Sequence, residues 1–185
     1  MSKRGDDTWI QTYTGRQVWP LDLHIDDLCI EDIAHALALK CRYTGHCREF
    51  YSIAQHSVLC SGVVLEPQLR LTALLHDASE AYLADLARPI KKSLPEFMAL
   101  EDKAERIIAD KFKLIYPFPP EVKRADNILL ATERRDLMAT PPRPWKTYGV
   151  EPLPERILPW PWDHAEAEFL IAFDDLTQEP TACST

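Results

Sequence analysis

Apolar residues recur along most of this chain at three- and four-residue intervals, the period of helices that bury one face. In CIEDIAHALALKC that spacing places Ile30, Ile33, Ala34, Leu37 and Cys41 on one side of a predicted helix. The loop RYTGHCREFY follows, and Ser52 with Gln55 makes an S-x-x-Q capping box opening a second helix that runs to about Val64. Pro67 suits the first turn of a third helix reaching about Leu83, apolar on most sides and hence expected at the centre. After the loop ADLARPIKKS, Pro95 opens a fourth helix with Phe97, Leu100, Ala104, Ile107, Ile108 and Phe112 as its buried stripe. Pro117, Pro119 and Pro120 break that helix, and PEVKRADNILLATERRDLM supplies a fifth.

Two stretches depart from the helical period. Residues 9–19, WIQTYTGRQVW, read as two short strands around Thr14-Gly15. Residues 141–161 hold seven of the fifteen prolines, which predicts an extended segment, with Trp145, Trp160 and Trp162 packing their indoles on the helical body. Asp163 and Glu166 are candidate caps for a last helix carrying Leu170, Phe173 and Leu176. The expected fold is all-α with a short N-terminal β-hairpin. One domain spans 1–185, with a core over 28–138, a Pro/Trp-rich segment over 141–162 and a C-terminal helix over 163–177.

Composition narrows the function. A formal charge of −8 argues against a nucleic-acid polymer as partner, because a phosphate backbone needs a basic face. No apolar run approaches the ~18 residues that span a bilayer, and MSKRGDDTW is not a secretory signal, so a cytoplasmic protein is expected. The five cysteines are odd in number and form no C-x-x-C pair. That pattern fits free thiols and argues against a cysteine-built structural zinc site.

The candidate chemistry lies in ALLHDASEAYLADLARPIKK. Adjacent residues on a helix diverge by ~100°, so His76 and Asp77 both reach one ion only near a helix end or a distortion. An isolated His-Asp pair is ordinarily a buried hydrogen bond or a surface pair. Here His56 sits among apolar neighbours in the preceding helix, and Asp126 lies between Val122 and Leu129 on the buried side of a later one. Two imidazoles and two carboxylates on three helices make a mixed N/O set suited to Mn, Fe, Co or Zn with open coordination positions.

The order His56…His76-Asp77…Asp126 resembles the HD-domain phosphohydrolases. The pieces CRYTGHCREFYSIAQHS, LLHDASEAYLADLARPIK and VKRAD are similar to the bacterial 5′-deoxynucleotidases and the phage dATP triphosphohydrolases of the DatZ group, with the N-terminal segment more phage-like. The resemblance covers roughly residues 9–138. It implies an HD-domain helical bundle, often a homo-oligomer (dimer or hexamer), that hydrolyses a deoxynucleotide with a divalent Co, Mn or Zn. A second ion such as Mg would accompany a triphosphate. It implies the cytoplasm as location, a host's for a phage-encoded member.

Residue by residue, the resemblance makes His56, His76, Asp77 and Asp126 the metal ligands and Glu80 the group that orients or deprotonates the attacking water. Arg42 matches a substrate-pocket arginine, Lys91 a lysine that meets phosphate oxygens, and Asp85 an acidic residue opposing a 2′-hydroxyl. Tyr43 stands where the bacterial enzymes carry a tryptophan and keeps an aromatic face for stacking. His46 is a candidate phosphate contact, or simply the neighbour of a turn at Gly45. Arg48, Arg88 and Lys92 are further cations for a triphosphate, or solvated surface. His24, His35 and His164 match no role, and Glu31, four residues before His35, is its expected partner.

Overall fold

A computed structural model describes residues 4–5, 7–146 and 148–178. The fold is all-α with one two-stranded antiparallel hairpin, as the periodicity predicts. Strands β1 (Ile10–Gln11) and β2 (Gln17–Val18) pair Ile10 with Val18 and Gln11 with Gln17. Gly15 takes the left-handed conformation their turn requires, at φ +85°. The helices are α1 (Ile30–Leu39), α2 (Ile53–Val63), α3 (Arg70–Leu74), α4 (Arg88–Lys91), α5 (Pro95–Phe112), α6 (Pro120–Leu137) and α7 (Trp162–Thr177). No helix among the described residues is long and apolar enough to cross a membrane.

The centre is α2 rather than the third helix. It packs against α1, α3, α6 and α7 and buries Ile53, Ala54, Gln55, His56, Ser57, Cys60 and Ser61, residues that fall all round its axis. Only half of the expected capping box forms: the Ser52 side chain accepts from the Gln55 amide at 3.0 Å. The Gln55 side chain turns away, donating to the Leu158 carbonyl and accepting from the Trp160 amide. An extended segment has no sheet partners, so helix side chains satisfy its backbone. Thr132 and Asp136 accept from the Leu153 and Ile157 amides in the same way. Trp160 packs on the main core and Trp145 against Tyr43, whereas Trp162 begins α7 with its edge on His35.

Several expectations are corrected. Cys41 lies beyond α1, in an isolated antiparallel bridge with Ser52 that closes the loop over 42–51. The stretch from Pro67 to Leu83 is not one helix: a 3-10 turn (Pro67–Leu69), α3 and a second 3-10 turn (Ala78–Ala81) replace it. The loop ADLARPIKKS contains the short α4, begun by Arg88-Pro89. Pro161, not Asp163, sits at the N-cap of α7, because Asp163 is already inside its first turn. Cys29, Cys41, Cys47 and Cys60 are free, and Cys183 lies outside the described residues.

Candidate functional site

The break after Leu74 positions the His-Asp pair. Leu75 and Asp77 leave helical geometry, at φ −104°, ψ 9° and φ −99°, ψ 11°. Instead of diverging around a helix, His76 and Asp77 turn towards one another, Nε2 to Oδ1 at 3.3 Å. The Ala73 carbonyl, freed where the helix stops, takes His76 Nδ1 at 2.7 Å. From α2, His56 brings Nε2 to 3.7 Å from Asp77 Oδ2 and 3.5 Å from Asp126 Oδ1 on α6. The two imidazole centroids are 5.4 Å apart. The structure thus gathers all four predicted ligands.

Neither His56 Nε2 nor His76 Nε2 has a hydrogen-bond partner, although both are buried. An orphaned buried nitrogen costs roughly 1–3 kcal/mol, and here two of them face two carboxylates. Imidazole nitrogens and carboxylate oxygens are donors that a divalent transition metal takes, and here they face one another at 3.3–3.7 Å. The residues therefore fit a divalent transition metal. Cys60, one turn beyond His56, also faces inwards: its sulfur and the two imidazoles lie within 4.8 Å of one another. The cysteine pattern argues against a cysteine-built structural zinc site, and it carries no signal for a single thiol beside two histidines. Burial, with Asp126 and Asp77 nearby, pushes the Cys60 thiol well above its usual range. Cys60 is therefore a further candidate ligand beside the two carboxylates.

Electrostatics separate the acids into two kinds. Burial works to raise Asp77 and Asp126. The two histidines outweigh it, and both carboxyls sit below the usual range, Asp126 well below. Glu80 goes the other way, pushed well up by burial and by Asp77 and Asp85. It is 7% exposed and its Oε2 has no partner. A 3-10 turn eclipses positions three apart, so Ala78–Ala81 keeps Glu80 on the side of Asp77. Carboxyls with opposed shifts in one cleft can serve as an acid and a base.

The cleft, about 210 Å³, is walled by His76, Asp77, Glu80, Lys91, Glu101, Glu105, Lys123 and Asp126, among others. Its cations are already paired. Lys91 donates to Glu101 at 2.6 Å and Lys123 to Asp126 at 2.5 Å. Arg42 is not on the wall: its guanidinium lies behind it, 3.3 Å from both Asp77 and Glu133. The Tyr43 hydroxyl donates to Glu133 and its ring meets Trp145, so it is placed beside Arg42. Asp85 is near enough to act on Glu80 and Lys40 but does not wall the cleft. His46 lies on the exposed loop, with Arg48, outside the cleft. Arg88 is turned to Tyr148, and Lys92 is exposed.

The residue that sequence reasoning missed is Glu133. It is fully buried on α6 and takes His56 Nδ1 at 2.6 Å, the Tyr51 hydroxyl at 3.0 Å and the Tyr43 hydroxyl. Burial would raise its carboxyl, but Arg42 and His56 bring it down to about 2. The same neighbours act on His56: burial and Arg42 lower it, and Glu133 and Asp126 carry it up to about 9. A signal existed, since Glu133 follows Asp126 by seven residues, two helical turns along the stripe of Val122, Ala125 and Leu129.

His35 corrects another expectation. It pairs not with Glu31 but with Glu166 on α7, Nδ1 to Oε2 at 3.0 Å, while Glu31 accepts from the Cys29 thiol.

Fold and site together define a helical protein that turns His76 and Asp77 at the α3 break and Asp126 on α6 onto one cleft, with the buried His56 of α2 beside them. The chain is 38% identical over 173 residues to the uncharacterized protein YfdR of Escherichia coli, covering 92% of this chain and 97% of YfdR, and it belongs to the YfdR family. An uncharacterized protein of Rhodobacter capsulatus is 34% identical over 126 residues, 63% of this chain and 64% of that one. No family model matches the chain.

Proposed function

We propose that this protein is a divalent-metal-dependent phosphohydrolase acting on a deoxynucleotide, of the kind its sequence resembles. The observation that carries the reading is the pair of buried nitrogens, His56 Nε2 and His76 Nε2, that make no hydrogen bond and face Asp77 and Asp126 at 3.3–3.7 Å. His56, His76, Asp77 and Asp126 would hold Co, Mn or Zn. Bound there, the ion acidifies a water and polarises a phosphoryl oxygen. Glu80 stands on the cleft wall with its buried Oε2 free of any hydrogen bond, and would hold or take the proton of the attacking water. Lys91 stands on the cleft wall to meet phosphate oxygens, and Arg42 steadies Asp77 from behind. A merely nucleotide-binding regulatory module would have no use for an unpartnered acid beside the metal set.

Two substrates follow from different observations. The phage-like N-terminal segment favours a deoxynucleoside triphosphate, dATP first, cleaved by water at the α-phosphorus to deoxyadenosine and triphosphate, with Mg as a second ion. The pairing of Lys91, Lys123 and Arg42 with carboxylates favours a smaller charge, a deoxynucleoside 5′-monophosphate cleaved to deoxynucleoside and orthophosphate. Phosphorus NMR of dATP and dAMP reactions, with Co, Mn, Zn and Mg added singly and in pairs, separates them. Turnover of dAMP alone refutes the triphosphohydrolase reading; turnover of neither, across the common deoxynucleotides, refutes both. Asp85, matching the acidic residue that opposes a 2′-hydroxyl in the deoxynucleotidases, is expected to favour deoxy- over ribonucleotides, and equal kcat/KM for dATP and ATP, or for dAMP and AMP, counts against it.

A further inference from the structure

Four side chains converge on one fully buried carboxylate. Glu133 Oε1 takes His56 Nδ1 at 2.6 Å and the Tyr51 hydroxyl at 3.0 Å, and Oε2 takes the Tyr43 hydroxyl and faces Arg42 Nε at 3.3 Å. Arg42 and Tyr43 come from a single tight turn, Arg42–Gly45, in which Tyr43 and Thr44 are both left-handed, at φ +54° and +55°. Two consecutive side-chain-bearing residues in that region are costly, of order 1 kcal/mol or more each, and persist only where surrounding contacts hold them. Among the contacts here are the Tyr43 hydroxyl on Glu133 and the Tyr43 ring on Trp145. The base of the loop is pinned as well, by the Arg42 amide on the Tyr51 carbonyl at 2.9 Å.

We infer that Glu133 is a positioning residue of the metal site, orienting His56 by accepting its Nδ1 proton and tying the Arg42–Gly45 turn to that same histidine. The inference rests on the metal reading above. A histidine that presents Nε2 to an ion needs its other nitrogen protonated and held, and a carboxylate does both while making the ring a better donor. His56 meets that condition, with Nδ1 on Glu133 and bare Nε2 towards Asp77 and Asp126. Arg42 closes the circuit: its other contact is Asp77 Oδ2, so one buried carboxylate sets a ligand on α2 and, through Arg42, a ligand in the α3 break.

Glu133→Gln tests this. The amide oxygen can still accept from His56 and Tyr51, but the negative charge is gone and the amide nitrogen confronts Arg42, which can only donate. Zinc and cobalt affinity, measured by chelator competition, is expected to fall ten- to a hundredfold, while circular dichroism and a single thermal transition report a folded chain. Tyr51→Phe removes another bond to the same carboxylate without touching His56, and is expected to keep metal affinity within about twofold. A folded Glu133→Gln protein with wild-type affinity overturns the positioning role and leaves the metal reading standing. A wild-type protein that takes up neither ion overturns both. Should Glu133→Gln not fold, nitrogen NMR of zinc-loaded wild-type protein decides: the role requires His56 coordinated through Nε2 with a slowly exchanging proton on Nδ1, and coordination through Nδ1 overturns it.

Discussion

Two histidine–glutamate pairs in this molecule look alike and behave differently. His56 meets Glu133 at 2.6 Å through Nδ1, and His35 meets Glu166 at 3.0 Å through the same atom. Around His35 the ring is stacked on Tyr13 at 3.7 Å, with the edge of Trp162 at 5.8 Å, on a partly exposed face between α1 and α7. Aromatic rings surround it, and the pair closes a packing contact. His56 is wholly buried, and its second nitrogen looks across a gap of 3.5–3.7 Å at two carboxylates. The hydrogen bond to glutamate is therefore common to both, and His56 differs in turning its other nitrogen, without a hydrogen bond, towards two carboxylates.

The largest expected effect is on metal content. Asp126→Ala and His76→Ala should each abolish stoichiometric metal by elemental analysis, whereas His35→Ala should leave it unchanged; retention in the first two would erase the contrast between the pairs. Next comes catalysis. Glu80→Gln should keep the metal and lose on the order of 10²–10⁴ in kcat, the usual contribution of a positioned acid or base. Turnover close to wild type would show that Glu80 does no proton work.

On the α1–α7 side the sensitivity should be to volume. Phe169, fully enclosed there, should cost about 3–5 kcal/mol as Phe169→Ala in denaturant unfolding, with metal affinity kept in the folded fraction. The smallest effect concerns Glu105 on the cleft wall. Burial, with Glu101 beside it, pushes its carboxyl up to about 7 against an ordinary 4.5. A carboxyl raised in the folded state loses stability as pH climbs from its unfolded value through its folded one. Glu105→Gln should therefore stabilise the metal-free protein by about 1 kcal/mol at pH 8, the partial exposure of Glu105 reducing the effect, and by nothing at pH 4. A gain that does not depend on pH would place its origin in packing.

Local pattern was enough for α1, α5 and α6, for the hairpin turn at Gly15 and for the inward side of Asp126, because each depends on a period written within a few residues. The same reasoning made the His76-Asp77 pair conditional on a helix end or distortion, which the break after Leu74 supplies. It did not reveal that break: an apolar run reads as continuous helix whether or not the chain turns inside it. Nor did it reveal partners chosen across the fold. Glu133 reaches His56 over 77 residues of sequence and Glu166 reaches His35 over 131. Glu31 had the right spacing for His35 and lost it to a helix packed alongside. Spacing determines which side chains share a face, and packing decides what that face meets, because burial makes every unmatched polar atom costly enough to recruit a distant partner.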